Sequence, residues 1–480
     1  MSQVSSQPAS QPAAPGAIAR AGRYAAYIFW LMFVINFLNY LDRYVFTGLS
    51  ETIKEDLHLD NFQVGLLGSA FLIVYTVVAL PLGFLADRIA RKSIVACGVA
   101  IWSLASALTG VASTFSGLLA IRAFLGIGEG SYYPAGTPML AAYYPPSRRA
   151  TTISRWSVGA LIGAAVGFLI ATPFAAPGIW RYAFFITGIP GLIFAILIWR
   201  TREKTRHEDD PPAEPSAREA KSFISSMASY LRIPTFRVIV ALHALGFFAL
   251  TGVTYWLVIY LSDTYGSAGS AYSGVGLSPK LVPILAGAVA LIGGILGNLA
   301  GGVWANRLSK RHAGARVLTG GLGFLLAAPF VIAAVGSPYV LHQLPVFVNA
   351  DVHTQLTIGI AIFTVFALLA SFFLNIYNGP VSAALQDVVP PAERAAAGGT
   401  ELTLAHLLGD VYATALIGAI ADGLGTALGG EQVGVALLLT CPLVLVASGV
   451  VGIWGSRFYA RDVAAIGGTA SDMLGTAVAE

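Results

Sequence analysis

Apolar residues fill this chain in runs of about 20 or more, each long enough to cross a bilayer core as a helix. Twelve runs can be marked: 24–48, 62–86, 92–112, 115–141, 150–172, 181–200, 235–262, 281–305, 315–336, 355–386, 394–420 and 432–457. The pattern predicts an all-α membrane protein with twelve transmembrane helices. Most polar breaks are short. The break at 201–234 is longer and opens on REKTRHEDD and PPAEP, the composition of a solvated linker. Within it, KSFISSMASYLRIP sets Phe223, Met227 and Tyr230 at helical spacing, so a short interfacial helix is expected there, with irregular linker as the alternative. The chain then divides into a disordered tail at 1–22, a six-helix bundle at 23–200, the linker at 201–234, a second six-helix bundle at 235–459 and a tail at 460–480.

Composition agrees. The 480 residues are 56% hydrophobic and 11% charged, where soluble domains carry about 25% charge. Cys97 and Cys441 both fall inside apolar runs and read as small core residues rather than a disulfide. The basic residues sort by side: Arg20, Arg23, Arg91, Lys92, Arg148, Arg149, Arg307, Lys310, Arg457 and Arg461 share one, while Lys54 and Lys280 are among the few on the other. The positive-inside rule puts both termini in the cytoplasm. That asymmetry accounts for the net charge of +4, which carries no nucleic-acid signal. Short loops and an Ala/Gly-rich composition suggest a bacterial protein, so the expected location is a bacterial inner membrane.

Against this background the stretch INFLNYLDRYVF at 35–46 stands out, because Asp42 and Arg43 sit inside a predicted span. A charge at the bilayer centre costs roughly 2.5–3.5 kcal/mol on the mildest scale, so such residues face a bundle interior or a wet cavity. On a helix Asn36, Asn39, Asp42 and Arg43 fall within about 120°. In the fourth span Arg122, Gly126, Glu129 and Tyr133 share a face. Two acids and two bases are present, so each carboxylate has a guanidinium available. They are either mutual ion pairs that join the two spans, or a working set. In the working set Asp42 and Glu129 exchange protons, while Arg43 and Arg122, with Asn39 and Tyr133, hold an anionic headgroup.

Two elements recur in order along the chain: GFLADRIARK at 83–92 with GVWANRLSKR at 302–311, and YYPPSRRA at 143–150 with DVVPPAERA at 387–395. Internal symmetry of two six-helix halves is a signature of secondary transporters. In that alignment Arg122 and Glu129 correspond to Ala367 and Leu374, so coupling charges are expected to concentrate in the first half. The second half offers Phe363, Phe366, Phe372, Phe373, Asn375, Tyr377 and Asn378 in one span and His243, Phe247, Thr251 and Tyr255 in another. An aromatic wall with sparse amides, His243 and Asn375 among its polar members, suits an acyl chain better than a sugar. Plain packing is the other reading of those aromatics, and an interior hydrogen bond the other reading of His243. His406 and Asp410 stand i, i+4 and form either a relay or an interhelical hydrogen bond.

These motifs resemble the major facilitator superfamily: GFLADRIARK is similar to its loop between spans two and three, with Ala90 where a glycine is usual, and RAFLGIGEGSYYP is similar to its span-four Arg-x-x-x-Gly element. Within it, NYLDRY, GFLADRIARK, RAFLGIGEGSYYPAGTPMLAAYYPPSRRA and AHLLGDVYATALIGAIAD resemble the Spinster group. The resemblance implies proton-coupled movement of a lysophospholipid or sphingolipid-like molecule by alternating access. It also implies a cytoplasmic gate at Asp87, Arg88 and Arg91. The Asn-Tyr-x-Asp-Arg stretch is shared with organic-anion symporters, so a carrier of sugar acids is the alternative.

Other classes fit less well. No Lys follows a Gly, so there is no phosphate-binding Gly-Lys-Ser/Thr loop, and GIGEG at 126–130 lies in an apolar span with no strand before it. The histidines are scattered, so no metal site is expected, no cofactor is implied, and no Ser-His-Asp set can be assembled. A non-enzymatic monomer is expected, with a lipid-like substrate and protons as its partners.

Overall fold

A computed structural model describes residues 15–86, 89–144, 146–202, 223–267, 270, 272, 274–390, 393–425 and 431–466. The helices are α1 (Pro15–Gly48), α2 (Ser50–Asp56), α3 (Asn61–Ala86), α4 (Arg91–Thr109), α5 (Phe115–Ala141), α6 (Pro146–Phe174), α7 (Trp180–Trp199), α8 (Phe223–Tyr230), α9 (Pro234–Tyr265), α10 (Leu281–Ser309), α11 (Ala315–Leu341), α12 (Pro345–Val348), α13 (Val352–Asn375), α14 (Asn378–Asp387), α15 (Arg394–Leu408), α16 (Asp410–Gly423) and α17 (Gln432–Ala465). Among the described residues the sole β contact is an isolated bridge between Gly266 and Leu277.

Among the described residues, eleven stretches are long and apolar enough to cross a membrane. The twelfth helix, α5, has 27 residues and packs on α3 and α4, but it carries Arg122 and Glu129 in its middle. The predicted twelve-helix membrane fold is therefore the observed one. Two predicted spans are jointed: 355–386 breaks between α13 and α14, and 394–420 breaks at Gly409. Helix α1 begins at Pro15, inside the segment expected to be a disordered tail, and α17 runs on to Ala465.

Small residues set the helix spacing. Gly159, Gly163 and Gly167 of α6 lie against the backbone oxygens of Phe33, Phe37 and Leu41 in α1, a four-residue repeat matched on both partners. In α5, Gly126 and Gly130 meet the carbonyls of Phe71 and Tyr75 in α3, while Gly128 meets Gly98 and Trp102 in α4. The GIGEG run is thus a two-sided packing surface. Gly293, Gly297 and Gly301 of α10 do the same against the carbonyls of Leu368, Phe372 and Ile376. A Cβ on Gly163 would come within 2.2 Å of the Phe37 oxygen, which is backbone and cannot swing aside. Gly163→Val is expected to cost about 1–3 kcal/mol and to lower the thermal unfolding midpoint in micelles. An unchanged midpoint would mean that α1 and α6 are not held by this contact.

The first six spanning helices contact the last six mainly along two seams, α3 with α16 and α6 with α10. Both seams are tight on the face opposite the chain termini. Asp422, at the end of α16, accepts hydrogen bonds from the backbone N–H groups of Asn61 (3.2 Å) and Phe62 (2.6 Å) and from the Asn61 side chain (2.8 Å). It caps the start of α3, where an anion satisfies free N–H groups and the helix dipole. Farther in, Thr414 donates to the Gly65 carbonyl at 2.8 Å and bonds Ser69 at 2.9 Å, and Tyr255 donates to Val64 O at 2.6 Å. Phe168 of α6 presses on Gly287 of α10.

Candidate functional site

Between the two sets of six helices lies a cavity of about 460 Å³. Its walls are mostly apolar: Leu161, Ala164 and Phe168 from α6, Leu250 and Val253 from α9, Val331 and Val335 from α11, Phe363 and Leu374 from α13. Polar groups cluster at two places, one on each side.

The first cluster comes from α1, α3 and α5. Arg43 donates to Glu129 Oε2 at 2.5 Å, with the Glu129 side chain fully buried and that of Arg43 25% exposed. The guanidinium lies in an aromatic enclosure, 5.1 Å from the Tyr40 ring centre, 4.9 Å from Phe71 and 5.4 Å from Tyr75. Asn39, one helical turn before Arg43, faces the same carboxylate. The other Glu129 oxygen has no hydrogen-bond partner among the described residues.

Arg122 is different. It is 3% exposed, and its guanidinium lies 4.0 Å from the Phe46 ring centre and 4.8 Å from Phe71. Its hydrogen bond is a long one, 3.5 Å to the Leu67 carbonyl. No carboxylate among the described residues forms an ion pair with it. A guanidinium stays charged at any relevant pH, so this is a buried positive charge on the cavity wall that makes no ion pair; Glu129 acts on it only through space, its hydrogen bond being given to Arg43. Phe71 lies between the two arginines and touches both.

Asp42 turns away from this set. It is 3% exposed, faces the hydroxyls of Ser106 in α4 and Thr187 in α7, and is not on the cavity wall. The expectation that each acid takes an arginine is corrected: one such pair forms, and Asp42 and Arg122 are outside it. Neighbours in sequence point about 100° apart on a helix, so Arg43 and Asp42 serve different sides of α1. Tyr133 also lies off the cavity, 48% exposed, with its ring 5.7 Å from that of Trp156. Asn36 donates to the Trp156 carbonyl at 3.1 Å and joins α1 to α6.

The second cluster belongs to the last six helices. His406 Nδ1 stands 2.9 Å from both oxygens of Asp410, and Thr251 donates to Asp410 Oδ2 at 3.3 Å. All three line the cavity, as do Asn375, Tyr377 and Asn378. His243 lies behind them and pairs with Glu401, Nδ1 to Oε1 at 2.5 Å. Sequence reading overlooked Glu401, which puts a further buried acid in the last six helices. The signal was available, since Glu401 is an acid within a predicted span. Of the aromatic wall, Phe363, Phe247, Tyr255 and Tyr377 reach the cavity, whereas Phe366, Phe372 and Phe373 pack elsewhere. Arg91 opens α4 on the termini side, and Asp87 and Arg88 lie outside the described residues.

Chemically, the cavity wall offers two cations from the first six helices, one of them bonded to the buried Glu129, the His406–Asp410 pair from the last six, and apolar surface from both sets. No group of three or more His, Cys, Asp or Glu able to hold a metal occurs among the described residues.

Comparison with known proteins gives a consistent picture. Residues 32–409 match the model of the Major Facilitator Superfamily. Protein spinster of Drosophila melanogaster is 25% identical over 418 residues, which is 85% of this chain and 64% of the fly protein's length. Protein spinster homolog 1 of Xenopus tropicalis is 27% identical over 417 residues, 83% of this chain and 73% of the frog protein. Among solved structures, a bacterial homologue of the human lysosomal transporter Spinster, inward-facing and unoccupied, superposes with a TM-score of 0.68 at 24% identity, covering 92% of this chain and 98% of that one. A nucleoside transporter, NupG, shares the fold with a TM-score of 0.62 at 15% identity, covering 90% and 99%.

Proposed function

The chain belongs to the Major Facilitator Superfamily and is a multi-pass membrane transporter, and from that premise we propose that it moves an amphiphilic lipid with an anionic headgroup in exchange with, or together with, protons. The observation that carries this reading is Arg122: a buried, permanently charged group on the cavity wall without a carboxylate partner. Such a charge is costly unless an anion completes it. A phosphate or carboxylate headgroup at Arg122 would do so, and the apolar walls of the cavity would take the acyl chain.

Glu129 supplies the coupling. When it is ionised it holds Arg43 at 2.5 Å. A proton on Glu129 would release that guanidinium toward the headgroup, so substrate and proton would favour each other. Asp42, beside Ser106 and Thr187, would act as a second proton site that senses the packing of α1 on α4 and α7. The likeness to Spinster proteins supports a lipid over a sugar acid. The termini face is taken as cytoplasmic on the distribution of Arg and Lys, in a bacterial inner membrane, and each chain carries both halves of the pathway and works as a monomer.

The reading is tested by reconstituting the protein in liposomes with an imposed pH gradient and following labelled lysophospholipid, sphingosine phosphate and a sugar acid. Lipid accumulation that follows the gradient is expected. Movement of the sugar acid alone would replace this reading with the organic-anion one.

Alternating access requires the seam between α3 and α16 to open. Asp422→Ala removes the three hydrogen bonds that Asn61 and Phe62 give to this carboxylate. Loss of such a cap costs about 1 kcal/mol, which shifts the ratio of closed to open about fivefold. Spin labels flanking the seam should show a larger long-distance population in the variant. Identical distance distributions would mean that Asp422 does not hold this face shut.

A further inference from the structure

We propose that His243 and Glu401 form a further proton-binding site, in the last six helices and separate from Asp42 and the Arg43–Glu129 pair. Both side chains are buried, 5% and 6% exposed, with Nδ1 and Oε1 2.5 Å apart. At that distance one proton lies between Nδ1 and Oε1, shared by the imidazole and the carboxylate. The other imidazole nitrogen, Nε2, is buried with no hydrogen-bond partner among the described residues. The Phe247 ring stacks on the imidazole at 5.0 Å and 9°, and the Tyr377 ring meets it edge-on at 5.1 Å.

This geometry opposes two penalties. With Nε2 bare, the pair carries one net negative charge in apolar surroundings. With Nε2 protonated, the pair is neutral, but an N–H group is buried without an acceptor. Neither state is satisfied, so a small change of surroundings moves the proton on or off. Histidine is the side chain whose ordinary charge change falls near neutral pH.

The surroundings are built to change. Glu401 is on α15 and Asp410 on α16, and Gly409 between them has φ −119° and ψ −98°, outside the helical range. A Cβ there would lie 2.1 Å from the carbonyl oxygen of Ala244, the residue after His243. Movement at this joint therefore displaces Glu401 relative to His243. The other titratable groups that face the pair are Tyr377, beside Glu401 and Asp410, and His406 with its partner Asp410. Phe247 separates the two histidines, with its ring 5.3 Å from His406. His406 and Asp410 border the cavity, so the joint at Gly409 links the buried pair to a pair that meets the cavity.

The test counts protons taken up by the purified full-length protein in micelles between about pH 8 and about pH 5. The double variant His243→Gln/Glu401→Gln should take up about one proton fewer per chain than wild type. An unchanged count overturns the proposal. Should the double variant not fold, Glu401→Asp keeps the carboxylate but lengthens the contact, and it should move one midpoint by at least about half a pH unit. An unmoved midpoint overturns the proposal as well. Glu129→Gln, measured in parallel, reports on the coupling reading separately. A full count in the pair variant beside a reduced one in Glu129→Gln sinks this site and spares that reading, and the reverse does the opposite.

Discussion

Replacing Arg122 with glutamine is expected to weaken binding of a lysophospholipid about 100-fold while leaving the protein folded and no less stable. The two halves of that result have one cause. Arg122 is buried at 3% exposure with two aromatic faces and a 3.5 Å carbonyl contact for company. A buried charge with so little compensation lowers stability, so its removal should hold or raise the unfolding midpoint. The headgroup, in turn, loses a charge-assisted contact in a desolvated site, a loss of about 2–5 kcal/mol when one member of such a pair is truncated. About 2.8 kcal/mol corresponds to the 100-fold change. Arg122→Lys keeps the charge but not the flat guanidinium that lies against Phe46 and Phe71, and should bind with intermediate strength. Binding is read by equilibrium titration in micelles, and stability by thermal melting of the same samples. If Arg122→Gln melts well below wild type and binds as before, the residue is a structural strut and the anion site is elsewhere.

That pairing of outcomes could not be set out from the sequence. The twelve spans were legible because a bilayer demands about 20 apolar residues in a row, and that demand leaves its mark whatever the helix packs against. The charges inside the spans were legible for the converse reason: Asp42, Arg43, Arg122, Glu129, His406 and Asp410 interrupt spans that lipid alone would keep apolar. Partnership was not legible. Whether Arg43 or Arg122 takes Glu129 depends on how α1, α3 and α5 rotate about their axes, and those rotations are set by contacts such as Gly126 and Gly130 on the α3 backbone. The break at Gly409 was hidden as well. A glycine inside a helical pattern is ordinarily tolerated, and this one marks a joint because α9 comes within a Cβ's reach of it. Symmetry between the halves does not point to Glu401, because the positions matching Arg122 and Glu129 are Ala367 and Leu374. The last six helices place their acids on α15 and α16 instead.

Glu129→Gln is expected to abolish gradient-driven accumulation while exchange of lipid across the membrane continues. The amide keeps the shape of the side chain and one acceptor for Arg43, so the fold and the cavity are preserved. What it removes is a carboxylate that can be either charged or neutral. In wild type the ionised form restrains Arg43 at 2.5 Å, inside the enclosure of Tyr40, Phe71 and Tyr75, and the protonated form does not. In the variant the amide holds Arg43 equally, and more weakly than a carboxylate, at every pH, so the occupied state no longer depends on a proton. With one proton coupled per lipid, a gradient of one pH unit is worth about 1.4 kcal/mol and drives about tenfold accumulation. In Glu129→Gln liposomes the inside-to-outside ratio should fall to about one, with counterflow of preloaded lipid retained. Arg43→Gln makes a useful contrast. It leaves Glu129, fully buried, without its cation, so the carboxyl should stay neutral and this variant should also fail to accumulate. Persistent tenfold accumulation in Glu129→Gln would remove this carboxylate from the coupling and leave Asp42, between Ser106 and Thr187, as the acid of the first six helices to examine.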